Sequence, residues 1–282
     1  MSRTHLTKPL DRQPLLRRLI LPVLARVNIG DITIRHHYTN DKFHLHSFRH
    51  RGYWFHGRQR EHDVMRGFAR LVSVGSTVLD VGGHIGYVSL YLSSLVGDSG
   101  RVYVFEPGTN NLPYLSKNVG CKANVVVAPV AVGEVRGLLP LYIENLTGQN
   151  NSLVRDFSTL RENEAAAHVR ATRSTLDVSV ITLDAFVSDR NLHPEFIKVD
   201  VEGFEYEVVR GMSALLQAHR PRLMVEVQRN KAEVFQALTN VGYVPFTPSG
   251  RRLRDAMELP LNTFFVHAAD HVGISKIEDA CS

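Results

Sequence analysis

The chain has 282 residues, 44% of them hydrophobic and 22% charged, with two cysteines, Cys121 and Cys281. That composition buries a real core and excludes a disordered chain, while the cysteine count excludes a disulfide scaffold or zinc ribbon and suits a reducing, cytoplasmic compartment. A net charge of +5 permits an anionic partner without requiring one, and no apolar run approaches the roughly 20 residues of a membrane span.

The first 60 residues read as an N-terminal extension. PLLRRLILPVLARV is basic and apolar, but its apolar centre, Leu19 to Ala25, is short and broken by Pro22. This argues against a signal peptide and for a docking or surface helix, one that allows weak association with a membrane surface. ITIRHHYTNDKFHLHSF holds two alternating runs around Thr39-Asn40-Asp41, the pattern of a hairpin that serves as lead-in or lid. His36, His37, His44, His46, His50 and His56 crowd this region. His44 and His46 share a strand face, as a metal pair would, yet no cysteine or acid motif accompanies them. Arg49, Arg51, Arg58, Arg60, Arg66 and Arg70 give the region a basic bias, which reads first as a solvated face.

From residue 77 the rhythm is α/β. Thr77–Val81 is a short apolar strand, Tyr87–Leu95 a helix, Arg101–Pro107 a strand stopped by its proline, 111–119 a helix and 124–132 a third strand. Such unbroken apolar runs belong to parallel strands covered on both faces. Residues 139–145 and the polar GQNNS loop look like an insertion carrying an extra strand, with 161–168 a short helix or loop. The stretch 178–186 is a strand entering a turn or helix. Then 195–203 is strand and turn, and Phe204, Val208, Met212, Leu215 and Leu216 recur at helical spacing. Arg222–Gln228 is a strand, Lys231–Asn240 a helix, and two closing strands end with Leu261–His267. This alternation predicts an α/β fold with a doubly wound, mostly parallel sheet whose ligands sit at strand carboxyl ends. The expected organisation is an extension at 1–60, a ligand-binding domain at 61–270 and a tail at 271–282.

The first strand runs into Gly82-Gly83-His84-Ile85-Gly86, with Asp80 just ahead. This is not Gly-x-Gly-x-x-Gly. A carboxylate at that strand end would repel a pyrophosphate, but it suits the sulfonium and ammonium of S-adenosylmethionine, and glycine lets the backbone approach a ligand. Glu106 ends the neighbouring strand, where an acid accepts both ribose hydroxyls. The bland alternative is a packing turn with Asp80 as a helix cap.

The runs VLDVGGHIGYVSL, VYVFEP, VAPVAVGE, QNNSL, ITLDAF, FIKVDVEGFEYEVVRGM and LMVEV resemble the FkbM family of S-adenosylmethionine-dependent methyltransferases, over roughly Gln59 to His267. The resemblance implies the seven-stranded, Rossmann-like class I methyltransferase sheet and O-methylation of a small hydroxylated acceptor such as a sugar, glycolipid or natural product. It implies that Asp80, Gly82, Gly83, Gly86 and Glu106 line the cofactor, with Val130 and Ala131 facing adenine. Two positions depart: His84, where the family more often has asparagine, and Gln228, where histidine is expected.

A hydroxyl needs a general base or a metal to become a nucleophile. Asp200 and Glu202, in the turn after the fourth parallel strand, are the candidates for base or substrate-orienting group, although capping and first-turn roles are open to both. Asp200 and Glu226 end neighbouring strands, which leaves room for magnesium. Lys198 could neutralise these acids from inside its strand. Glu205 and Glu207 read as solvated helix positions. Tyr53 and Trp54 read as core or substrate wall, Glu61 as a ligand contact or surface ion pair, and Asn150, Asn151 and Ser152 as hydroxyl-recognising or turn-forming. Three other readings compete. A nucleic-acid methyltransferase would use the basic extension, but the turn reads DVEG and not (Asn/Asp)-Pro-Pro-(Tyr/Phe). A non-catalytic cofactor-binding protein would lack any activity. A nicotinamide oxidoreductase is opposed by Asp80.

Overall fold

The computed structural model describes residues 29–59, 61–144, 151–155 and 173–278. The basic apolar N-terminal stretch, Arg60, Asn150, residues 161–168 and Cys281 lie outside the described residues.

The hairpin forms from β1 (Asp31–Arg35) and β2 (Lys42–His46), antiparallel, with Ile34 opposite Phe43. Alternation decides its faces: Phe43 and Leu45 are fully buried, whereas His44 and His46 point the other way. Helix α1 (Arg51–His56) follows, then α2 (His62–Leu71), which buries Val64, Met65, Phe68 and Leu71 at helical spacing. The histidine tract is partly core. His36 and His50 are buried, and loss of water pushes them down to about 4 and about 3, so both are neutral at physiological pH.

The doubly wound unit begins with β3 (Thr77–Val81), α3 (Tyr87–Val96), β4 (Arg101–Phe105), α4 (Leu112–Val119) and β5 (Val125–Ala128). It resumes with α5 (Leu183–Asp189), β9 (Pro194–Val199), α6 (Glu205–Arg210), α7 (Ser213–His219), β10 (Arg222–Glu226), α8 (Lys231–Thr239), β11 (Tyr243–Phe246) and β12 (Asn262–His267). The seven strands are ordered β11-β12-β10-β9-β3-β4-β5, and β12 runs antiparallel to both its neighbours. This is the sheet that the alternation and the resemblance imply. From β3 the chain adds β4 and β5 on one side and later β9 and β10 on the other, so the carboxyl ends of the parallel neighbours β3 and β9 form the switch point.

Period-two alternation sorts the sheet's side chains into two cores. Val78, Val102, Val104, Phe196, Met224 and Phe264 pack with α2, α3 and α4, as do Phe43 and Leu45 of the hairpin. Leu79, Val81, Phe105, Ile197, Val199, Leu223, Val225 and Phe265 pack with α5 through α8.

Three expectations need correction. Residues 124–132 are not one strand. β5 ends at Ala128, Pro129 has no N–H for the ladder, and β6 (Ala131–Val132) joins a second sheet ordered β6-β8-β7 with β7 (Gly137–Glu144) and β8 (Arg173–Ile181). The apolar series Phe204–Leu216 is two helices, because Gly211 passes so close to Gly133 that a Cβ would lie 1.9 Å from its carbonyl oxygen. Within the expected tail, His271–Glu278 form helix α9, which buries Ile277 in the first core.

Candidate functional site

The ends of β3, β4, β9 and β10 surround a cavity of about 330 Å³. Its walls include Gly82, His84, Glu106, Asn111, Val130 and Ala131 on one side. On the other stand Glu61, Asp200, Glu202, Glu226 and Gln228. Tyr53 reaches it from α1.

Glu106 follows β4 and is almost wholly buried. Its Oε2 accepts the His84 N–H at 2.8 Å, and its Oε1 accepts the Gly108 N–H at 2.8 Å and Asn111 Nδ2 at 3.2 Å. Loss of water outweighs these donors and pushes the carboxyl up to about 7. His84 sits at φ 48°, the left-handed region in which asparagine and histidine are both enriched, so the departure from asparagine keeps the backbone. Its Nδ1 hydrogen-bonds the Tyr53 hydroxyl at 2.9 Å. Val130 reaches the wall from the bend after Pro129 and Ala131 from the start of β6, not from the end of a third parallel strand as expected.

Asp80 lies beneath the cavity wall. It is fully buried and is not one of the residues that line the cavity. In the sheet register it lies opposite Lys198. Lys198 Nζ is 3.3 Å from Asp80 Oδ1 and 3.2 Å from Asp200 Oδ2, and it donates to the Gly82 carbonyl at 2.7 Å. Ser89 Oγ donates to the other Asp80 oxygen at 2.6 Å. Burial alone would lower the Lys198 pKa, but Asp200 and Asp80 together raise it, so the ammonium stays charged. Asp80 thus shares the Lys198 ammonium with Asp200 beneath the floor, which weakens its repulsion of a pyrophosphate.

Of the three glycines, Gly82 lines the cavity. Gly82, at φ 84°, leaves room for the Asp200 carbonyl, which a Cβ would approach to 1.7 Å. Gly83 packs on Val104, Gly86 against Leu115, and neither lines the cavity.

Asp200 and Glu202 project from the turn after β9. Neither caps α6, whose N-cap is Phe204 without a side-chain bond. The turn is tight: Glu202 has φ 54° and Gly203 φ 97°. Ser152 Oγ donates to the Glu202 carbonyl at 2.6 Å, and Asn151 bonds the Glu144 N–H and Asn110. These two polar loop residues thus hold the walls in place. Glu202 and Glu226 have proton affinities raised well above the ordinary value, first by loss of water and then by the charge of Asp200. Gln228 Nε2 donates to both, at 2.9 and 3.2 Å. No group of three or more histidine, cysteine, aspartate or glutamate residues is arranged to hold a metal ion among the described residues. Asp200 is engaged by Lys198 and Glu226 by Gln228, so this pair does not fit magnesium.

Glu205 corrects another expectation. It is fully buried, its Oε1 accepts the Gly203 N–H at 2.7 Å, and burial pushes it up to about 7. Glu205 and Glu106 both bind a proton more tightly folded than unfolded. Between the unfolded value of about 4.5 and about 7, stability therefore falls as pH rises, by about 3 kcal/mol per group in full. The urea midpoint of the ligand-free protein should be higher at about pH 6 than at about pH 8. A flat or opposite trend would mean these carboxyls are solvated.

Sequence reasoning did not single out Phe105, Pro107, Asn111, Leu141, Leu153, Phe204 or Leu261, which also line the cavity. The run VFEP gave a signal for the first two, since residues beside a strand-end acid share its cleft.

A family model described as the methyltransferase FkbM domain matches residues 80–258. The hexuronic acid methyltransferase AglP of Haloferax volcanii is 26% identical over 159 residues, 56% of this chain and 59% of that protein. The chain thus spans somewhat more than half of that relative's length. An FkbM methyltransferase from Methylobacillus flagellatus KT is similar in structure at 16% identity and TM-score 0.41, covering 67% of this chain and 43% of that one. Fibrillarin of Aeropyrum pernix, solved with natively bound S-adenosyl-L-methionine, is similar at 11% identity and TM-score 0.38, covering 84% and 83%.

Proposed function

Since the chain belongs to the FkbM methyltransferase family, we propose that it is an S-adenosylmethionine-dependent methyltransferase acting on a hydroxyl oxygen of a small molecule, sugar or glycolipid. The observation that carries this reading is one cavity with Glu106 on one wall and Asp200, Glu202 and Glu226 on another.

The residues present fit the cofactor. A buried carboxylate beside a glycine turn suits two ribose hydroxyls, and Phe105, Val130 and Ala131 offer apolar surface for adenine. Bound there, the cofactor would supply a methyl group on a sulfonium, which leaves as a neutral thioether when oxygen takes the methyl. The chain must do the rest. The strand-end acids orient the acceptor, since alignment is worth on the order of 7–11 kcal/mol in favourable cases. A carboxylate of the Asp200–Glu202–Glu226 group takes the hydroxyl proton as the oxygen acquires its new bond to carbon.

The relative named for a hexuronic acid supports a sugar acceptor. The acidic residues on the acceptor side of this cavity, Glu61, Asp200, Glu202 and Glu226, favour a neutral sugar over an anionic one, and they oppose a phosphate backbone in the same way. We place the protein in the cytoplasm on its low cysteine content; no helix among the described residues is long and apolar enough to cross a membrane.

Calorimetric titration with S-adenosylhomocysteine and NADH tests the reading. We expect S-adenosylhomocysteine and not NADH to bind, and we expect S-adenosylmethionine to give its methyl to a neutral hydroxylated acceptor, a transfer that Asp200→Ala abolishes. Binding of NADH alone would overturn it.

A further inference from the structure

We infer that Ser152 and Glu205 are positioning residues that hold Glu202 in the acceptor side of the cavity by gripping the two ends of one peptide group; this rests on the methyl-transfer reading above. The peptide is the one between Glu202 and Gly203. Its carbonyl oxygen accepts the Ser152 hydroxyl at 2.6 Å, and its N–H donates to Glu205 Oε1 at 2.7 Å. Both gripping residues are buried, Ser152 at 2% exposure and Glu205 at 0%. Neither lines the cavity, whereas Glu202 does, so what they do to an acceptor passes through Glu202.

The grip is needed because the backbone here is disfavoured. Glu202 and Gly203 follow one another at φ 54° and φ 97°. Glycine accepts such a value freely, but in a glutamate it drives Cβ against a carbonyl oxygen, so it persists only where the surroundings impose it. Two glutamates among the described residues have positive φ, Glu61 and Glu202, and both line the cavity. A return of Glu202 to negative φ would re-aim its Cα–Cβ bond and part its carboxylate from Gln228, whose Nε2 is now 2.9 Å from Oε2.

Each grip has a defined direction. Val154 donates its N–H to Ser152 Oγ at 3.0 Å. An amide N–H can only donate, so the hydroxyl proton is left for the Glu202 carbonyl. Ser152 is itself anchored to β7 by two backbone bonds with Tyr142, at 2.9 and 3.1 Å. The second sheet thus reaches the acid turn through one serine. From the other side Glu205, the first residue of α6, reaches back to the turn that precedes it. The start of the turn is fixed as well. Asp200 donates its N–H to the Val81 carbonyl at 3.0 Å, and its own carbonyl packs against Gly82. With both ends of the turn held, the remaining freedom is rotation of the Glu202–Gly203 peptide, which Ser152 and Glu205 remove.

The test is nuclear magnetic resonance on the isotope-labelled full chain, free and with S-adenosylhomocysteine. Couplings across the Glu202 N–Cα bond give the sign of its φ, and solvent exchange of the Gln228 side-chain amide reports whether the Glu202 carboxylate stands beside it. In the wild type, φ should be positive and the amide protected. Ser152→Ala should lose the positive φ and speed exchange of the Gln228 amide by about tenfold, the scale of one lost hydrogen bond. Ser152→Thr keeps the hydroxyl and should keep both signals. Glu205→Met should behave as Ser152→Ala does, whereas Glu205→Gln, which still offers an acceptor oxygen, should behave as the wild type. An unmoved Gln228 amide in a folded Ser152→Ala overturns the inference, since Ser152 would then serve packing alone. A negative φ at Glu202 in the wild type overturns it even where the variants fail to fold. Should S-adenosylhomocysteine not bind, the methyl-transfer reading falls, while both signals are read equally well in the free protein.

Discussion

Glu106→Gln is expected to weaken S-adenosylhomocysteine binding by about 100-fold at about pH 8, roughly 2.7 kcal/mol, the scale of a lost charge-assisted hydrogen bond. Folding should change far less. The substitution removes a carboxylate that is costly to bury, which favours the variant by about 3 kcal/mol above pH 7. It also turns an amide donor toward one of the N–H groups of His84 and Gly108 that Glu106 now accepts, which costs about 1–3 kcal/mol. The two effects nearly offset. The pH dependence separates this account from simple damage to the pocket. Wild-type affinity should rise through about pH 7 as the carboxylate forms, whereas that of the variant should stay flat, so the two converge on acidification. Calorimetry at several pH values measures both. Parallel profiles would show that Glu106 does not meet the ligand as a carboxylate.

Lys198→Met is expected to cost about 3–5 kcal/mol of stability, because it leaves a buried carboxylate without its counter-charge. Asp80 is fully buried, and Ser89 would be its remaining hydrogen-bond donor in the structure. Adding Asp80→Asn removes the stranded charge and should restore about 2 kcal/mol, a coupling that a double-mutant cycle in urea reads directly. The substitution should also weaken ligand binding, since Nζ holds the Gly82 carbonyl at 2.7 Å. A loss below about 1 kcal/mol for the single variant would show that water or another group neutralises Asp80.

The sheet was legible because its signals are local and repeated. Thr77–Val81 is a strand at the expected residues, flanked by glycines at one end and by a turn at the other. Helix α3 extends one residue past expectation. The positions of Glu106, Asp200 and Glu202 around one cavity follow from strand-end reasoning and topology together. What sequence reading missed depends on direction, which needs neighbours. Asp80 shares the face of Val78, not of Leu79, and its partner Lys198 lies 118 positions along the chain, brought opposite only by the β3–β9 pairing. Glu205 looks like a solvated first-turn acid, yet the chain folds the turn over it. The departure at Gln228 was visible as an oddity, but its meaning required seeing both glutamates beside it.

Asn118 of α4 gives the hairpin a stake in the ligand loop. Its Oδ1 accepts the His44 N–H at 2.7 Å, and its Nδ2 donates to the His44 carbonyl at 3.0 Å and to the Ile85 carbonyl at 2.7 Å. Strand β2 and the glycine turn therefore share one side chain, and opening either exposes the polar groups of the other. Elements linked in this way open as one cooperative unit. A ligand seated on the turn, though it never touches β2, stabilises the closed form by mass action. Amide hydrogens of the hairpin will then exchange with deuterated water more slowly when the cofactor site is filled.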